Sequence, residues 1–134
     1  MNRAFADTCY YLALLNSEDE LHAKAKEITE SHATSHLTTT WVLTEVADAL
    51  CRPLEKKMVA DFIQELIHDR HVTVLPPTRR LFDAGLDLFR GRADKNWSLT
   101  DCISFFPMDE NGISQALTAD HHFEQAGFTI LMRD

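Results

Sequence analysis

The chain has 134 residues, which fits one domain able to bury most of its apolar surface without disulfide or metal staples. Hydrophobic residues make up 45%, with glycine and proline at four each, which excludes a disordered or low-complexity chain; no apolar run approaches a membrane span. The net charge of −8 argues at first against a nucleic-acid partner.

In chain order, "RAFADT" reads as a short strand ending at Asp7, and "DTCYYLALLN" turns into a helix that Asp7 or Thr8 can cap. One Arg ahead of this apolar stretch faintly mimics a signal peptide. Asp7 interrupts the stretch and no small-residue cleavage site follows, so that reading is rejected. "SEDELHAKAKEITESH" is expected to be helical from Ser17, with acids first and Lys24 and Lys26 later, as the helix dipole prefers. "HLTTT" is a β-branched strand. "WVLTEVADALCR" places Val42, Val46, Ala49 and Leu50 on one helical face. Pro53 separates it from the helix "LEKKMVADFIQELIHDR". "HVTVLPP" alternates like a strand, and "TRRLFDAGLDLFRGR" returns to helix. "SLTDCISFFPMDENG" is a helix ended by Asn111-Gly112. "QALTAD" is a strand, "HHFEQAG" a short helix stopped by Gly127, and "FTILM" the last strand.

Strands alternating with helices predict an α/β fold with a central parallel sheet between helix layers. Ligands in such folds sit outside the carboxyl ends of the strands. Asp7 and Asp120 fall at such ends, and Asp101 opens a helix on the same side. Each acid also has an ordinary use. Asp7 and Asp120 can be helix N-caps, Asp101 has capping-box spacing with Ser98, and Glu45 can be a surface residue. Glu45, however, borders the apolar stripe of its helix. Converging carboxylates repel, so they take up a proton unless a cation intervenes. Mg²⁺ and Mn²⁺ accept such oxygen ligands, and a cation so held activates water and stabilises phosphoryl charge. Ser98, Thr100 and Thr118 flank the acids and can orient that water or a phosphate oxygen.

The charge is unevenly placed. Residues 1–51 hold three basic against eight acidic side chains, net −5. Residues 52–95 hold nine against seven, net +2, and residues 96–134 hold one against six, net −5. Arg52, Lys56 and Lys57 follow the helix bearing Glu45. Arg79, Arg80, Arg90, Arg92 and Lys95 approach the helix bearing Asp101. These are candidate nucleic-acid contacts, or else the solvated faces of two amphipathic helices. Cys9, Cys51 and Cys102 are odd in number and lack a C-x-x-C pair, so they read as small buried residues in a reducing cytoplasm. His121 and His122 are adjacent, diverge by about 100° on a helix, and are assigned surface or capping roles rather than a shared metal. Phe105, Phe106, Phe123 and Phe128 are expected in the core rather than as a base-stacking platform.

"FADTCYYLALLNSEDELHAKA", "LTTTWVLTEVADAL" and "WSLTDCISF…ISQALTADHHFEQAGF" resemble the three signature blocks of the PIN-domain family, and within it the VapC-like ribonuclease toxins of bacterial type II toxin–antitoxin systems. The resemblance covers nearly the whole of residues 1–134 as a single domain. It implies a three-layer α/β/α sandwich, Mg²⁺ or Mn²⁺ dependence, cleavage of RNA phosphodiesters to 5′-phosphate and 3′-hydroxyl ends, a homodimer, and a small antitoxin protein as partner. Carried over residue by residue, Asp7, Glu45 and Asp101 match the acids of the family's metal site. Asp120 matches the fourth acid, Thr8 the hydroxyl after the first, and Ser98 and Thr100 the hydroxyls of the third block. Pro107 departs from the pattern. Proline inside a helix removes a backbone bond and costs about 3 kcal/mol or forces a kink, which leaves the helix geometry past Phe106 open. Two other readings stand beside this one: a non-catalytic PIN-like module that binds RNA or a partner, and a receiver-type phospho-acceptor domain. The receiver needs a late pocket lysine, and no lysine follows Lys95.

Overall fold

The computed structural model describes residues 2–31 and 34–133. Among the described residues, five strands form one wholly parallel sheet: β1 (Asn2–Ala6), β2 (Thr34–Thr39), β3 (Val72–Leu75), β4 (Gln115–Leu117) and β5 (Thr129–Ile130). Seven helices among the same residues connect them: α1 (Thr8–Leu15), α2 (His22–Glu30), α3 (Thr40–Ala49), α4 (Lys56–His68), α5 (Arg79–Gly91), α6 (Leu99–Glu110) and α7 (His121–Gln125). The sheet order is β3-β2-β1-β4-β5. The chain winds outward from β1 through β2 to β3, then crosses to β4 and winds the other way to β5. Crossovers between parallel strands are right-handed, so this reversal puts α1–α4 on one face and α5–α7 on the other. The result is the expected three-layer α/β/α sandwich. The winding reverses between β1 and β4, and that crevice is where a parallel sheet opens a site.

The sheet's middle strands are apolar because both faces are covered. Ala4, Phe5, Ala6 and Leu37 are buried on or beside β1, and Ala116 and Leu117 on β4. Under the crevice, Phe105 of α6 meets Phe123 of α7 edge-on at 5.0 Å, and Trp97 at 5.1 Å. Phe105, Phe123 and Phe128 are core residues, as expected; Phe106 is half-buried beneath the Arg80 guanidinium, which lies 5.1 Å from its ring.

Two expectations are corrected, and one point left open is resolved. First, the helix expected from Ser17 begins only at His22. The Asn16 and Asp19 side chains instead accept from the amides of Glu18 and Leu21, two residues on, which holds this segment in turns. His32, the last residue of that expected helix, lies outside the described residues. Second, α6 runs unbroken through Pro107 to Glu110. One amide bond is lost in a helix whose end is otherwise well closed: the Pro107 carbonyl accepts from Asn111 N at 2.9 Å and from Asn111 Nδ2 at 2.7 Å. Gly112, at φ 66°, then completes a Schellman turn, with Ile113 N donating to Met108 O at 2.8 Å. Third, Cys51 is exposed; all three thiols are free.

Gly85 sets the approach of α5 to α6. A Cβ built there would lie 2.3 Å from Ile103 Cγ1 and 2.8 Å from Ile103 Cα. Backbone is in the way as well as side chain, so relief by a rotamer change is insufficient. Gly85→Ala should lower stability by about 1–3 kcal/mol despite alanine's better helix propensity. The urea midpoint measures this, and an unchanged or raised midpoint would contradict the close approach.

Candidate functional site

Asp7 ends β1 and precedes α1, yet its side chain makes no cap bond to that helix. Its N-cap position is therefore not its use. Asp7 is 6% exposed, and Oδ2 accepts from Thr118 Oγ1 at 2.9 Å. Thr118 is fully buried at the end of β4, across the crevice. Its hydroxyl oxygen also accepts from the Asp120 amide at 3.0 Å. One threonine thus fixes both the Asp7 carboxylate and the backbone entry to α7.

Burial pushes the Asp7 carboxyl up from 3.8 to about 7. The Thr8 amide and the Thr118 hydroxyl draw it down, while Asp101 and Asp120 push it further up. Asp101 and Asp120 thus both bear on Asp7 across the crevice.

Asp101 forms the capping box in full. Ser98 Oγ accepts from Asp101 N at 3.0 Å, and Asp101 Oδ2 accepts from Ser98 N at 3.1 Å. The box does not exhaust the carboxylate: Oδ2 also meets His122 Nδ1 at 3.0 Å. Asp120 caps α7 by accepting from His122 N at 2.9 Å. Glu45, half-buried on α3, accepts from Thr8 Oγ1 at 2.7 Å. A chain of contacts thus runs Glu45–Thr8, next to Asp7, then through Thr118 to Asp120, His122 and Asp101.

Three of the four flanking hydroxyls are already engaged. Thr8 orients Glu45, Ser98 serves the cap, and Thr118 holds Asp7. Thr100 is half-buried, and its carbonyl accepts from Ser104 Oγ at 2.9 Å. The expectation for His122 is corrected: rather than a surface or simple capping residue, it sits between Asp101 and Asp120 with its side chain 20% exposed. The helix-divergence argument missed it because α7 is only five residues long and begins at the acid cluster. The run Asp-His-His directly after a strand end was the available signal. The neighbouring thiols are not activated. Burial pushes Cys9 and Cys102 up, and Asp7 and Asp101 respectively add to that.

The basic candidates fall in two places. Arg92 lies over Trp97, 4.9 Å from its ring, and pairs with Asp94 at 3.0 Å; Arg90 meets Asp87 at 3.5 Å. Trp97 Nε1 donates to Gln125 of α7 at 3.0 Å, which ties this segment to the acids' side of the molecule. Arg52 pairs with Glu55 at 3.4 Å and Lys57 with Asp61 at 2.8 Å. Arg52 lines a depression with Leu12, Leu15 and Asn16, so it sits beside the far end of α1, about 12 Å of helix from Thr8. Among the described residues, Lys56 and Lys95 form no ion pair.

The donor set of Asp7, Glu45, Asp101 and Asp120 is all oxygen, which suits a hard divalent cation. Asp7 is a buried member of that set and makes no cap bond, and burial raises its pKa. The stability consequence has a definite sign. An unfolded Asp ionises near 3.8 and folded Asp7 only near 7, so ionisation penalises the folded state progressively from about pH 4 to pH 7. In metal-free buffer, Asp7→Asn should therefore be more stable than wild type at pH 8, by about 1–4 kcal/mol, and the gap should close near pH 4. Thermal melts in chelator at both pH values measure it. Equal stability at pH 8 would mean that Asp7 ionises freely.

Residues 4–129 match the PIN domain family. No curated protein sequence matches significantly. Among solved structures, the chain is similar to VapC20 of Mycobacterium tuberculosis, described as a sarcin–ricin-loop-cleaving toxin. The TM-score is 0.84 at 27% identity, over 94% of this chain and 96% of that one. No helix among the described residues is long and apolar enough to cross a membrane.

Proposed function

As this chain belongs to the PIN-domain family, we propose that it is a divalent-metal-dependent endoribonuclease, the toxin of a toxin–antitoxin pair. The observation that carries this reading is the buried, uncapped Asp7 facing Asp101 and Asp120 where the sheet reverses its winding. Asp7, Glu45, Asp101 and Asp120 would hold the ion. When bound, Mg²⁺ or Mn²⁺ supplies an activated water and takes up charge that grows on the phosphoryl oxygens. Thr118 orients Asp7, Thr8 orients Glu45, and the capping box with Ser98 aims Asp101. These bonds set the carboxylates before substrate arrives, so little reorganisation is left for the reaction. In-line attack on phosphorus, with departure of the 3′ oxygen, leaves 5′-phosphate and 3′-hydroxyl ends.

Similarity to an RNA-cleaving toxin supports RNA as the substrate class. The partner is a small antitoxin whose C-terminal segment folds on binding and places an Arg or Lys among the acids. The toxin acts as a homodimer in the cytoplasm. Purified protein incubated with mixed RNAs should cleave with Mg²⁺ or Mn²⁺ and stop in chelator. Binding without cleavage in every metal would leave the non-catalytic module, and cleavage that persisted in chelator would remove the cation from the reading.

A further inference from the structure

The entry to α7 carries donors of a second kind. His122 Nδ1 lies 3.4 Å from Asp120 Oδ1, and His121 Nδ1 lies 3.8 Å from the same oxygen. One ligand atom from each of the three residues falls within 4.8 Å of the others. The two imidazole rings are 4.6 Å apart and tilted by 53°. The carboxylate between them is held in place: Asp120 accepts from His122 N at 2.9 Å, and its own amide donates to Thr118 Oγ1 at 3.0 Å. The His121 side chain is 60% exposed and that of His122 is 20%, so the group opens to solvent on one side and meets the acids on the other.

We propose that Asp120, His121 and His122 form a Zn²⁺ site, adjoining the oxygen-only set and sharing Asp120 with it. Two nitrogens and one carboxylate oxygen make the three-ligand complement of an open zinc site, with water completing the shell. Imidazole favours zinc and the later first-row metals, whereas Mg²⁺ favours carboxylate and water. The selection therefore lies in His121 and His122, not in the shared acid. His122 Nδ1 also meets Asp101 Oδ2 at 3.0 Å, a contact that zinc on that nitrogen would replace.

The functional consequence rests on the ribonuclease reading. Zn²⁺ that takes Asp120 withdraws a carboxylate from the Mg²⁺ set, so zinc inhibits cleavage supported by excess Mg²⁺. The site itself stands apart from that reading and is tested by binding.

The experiment is calorimetric titration of Zn²⁺ into metal-stripped wild type, His121→Gln, His122→Gln and Asp7→Asn, all in excess Mg²⁺. Circular dichroism checks that each variant is folded. Either histidine substitution should weaken zinc binding at least about tenfold. Asp7→Asn, which touches only the oxygen set and weakens the Mg²⁺ that competes for Asp120, should bind zinc at least as tightly as the wild type does. In ring-¹⁵N-labelled wild type, zinc should shift the signals of two histidines. Zinc affinity unchanged by both histidine substitutions would overturn the proposal. So would its loss in Asp7→Asn, because the ion would then sit among the acids. RNA cleavage by Asp7→Asn, scored in parallel, reports on the ribonuclease reading alone and leaves the zinc result as it stands.

Discussion

Asp101→Asn should cut RNA cleavage about 10³-fold, some 4 kcal/mol in the barrier, and leave the fold standing. The substitution is isosteric, and an Asn side-chain oxygen can still accept from Ser98 N, so the capping box largely survives. What disappears is one negative charge in a crevice that Asp7 and Asp120 share with it. If capping were the whole role of Asp101, the variant would cleave at the wild-type rate and lose at most about 1 kcal/mol of stability. Asp7→Asn sharpens the comparison. It should be as inactive as Asp101→Asn, yet more stable than wild type above pH 7, because it removes a buried carboxylate that ionises at a cost. Loss of activity coupled to a gain of stability separates a functional acid from a structural one. Rate and melting temperature measured on the same preparations decide it; a wild-type rate in either variant would end the metal-site reading.

The alternation of strand and helix was legible because each apolar pattern has one period, and the order runs β–α–α three times and then β–α–β. Strand order was not legible. Nothing in "RAFA" or "QAL" says that β4 lies beside β1, and that adjacency brings Thr118 within 2.9 Å of Asp7. The acids could be named from the strand ends, but their coupling is a tertiary fact. Local side-chain bonding misled the reading at Ser17, where two Asx turns outcompete the helix. At Pro107 the sequence left the helix geometry open; α6 continues through it, because a helix loses only one bond and the Asn111-Gly112 turn closes the rest. Gly85 gave no signal at all, since an internal helical glycine has meaning only against the Ile103 backbone it faces. His122 was missed for a related reason: helical divergence is a rule for regular helices, and α7 starts where the acids already are.

Neutralising Arg90, Arg92 and Lys95 together, as glutamines, should weaken binding of single-stranded RNA and flatten its salt dependence. Four acids repel phosphates until a cation arrives, so RNA must draw on positive charge elsewhere. Arg90 lies in the last turn of α5, and Arg92 and Lys95 stand on the α5–α6 connection just before Ser98 and Asp101, whereas Arg52 sits about one helix length away beside the end of α1. The first strip is therefore the better placed to guide a phosphate backbone into the crevice. Its local pairs do not prevent this. Asp87 and Asp94 are exposed partners, and such pairs are worth about 1 kcal/mol or less, so a phosphate competes for them readily. Arg92 is also held over the Trp97 ring, which keeps its guanidinium near the segment that leads to Asp101. Each phosphate contact adds about 0.7 to the slope of log affinity against log salt, so three should remove about 2 from it and cost on the order of 50-fold in affinity near physiological salt. The measurement belongs in the Asp101→Asn background with Ca²⁺, so that no RNA is consumed, with wild-type RNA-contact residues as the reference. An unchanged slope in the triple variant would make this strip a solvated face paired with its own acids, and would move the search for the RNA path to Arg52, Lys56 and Lys57.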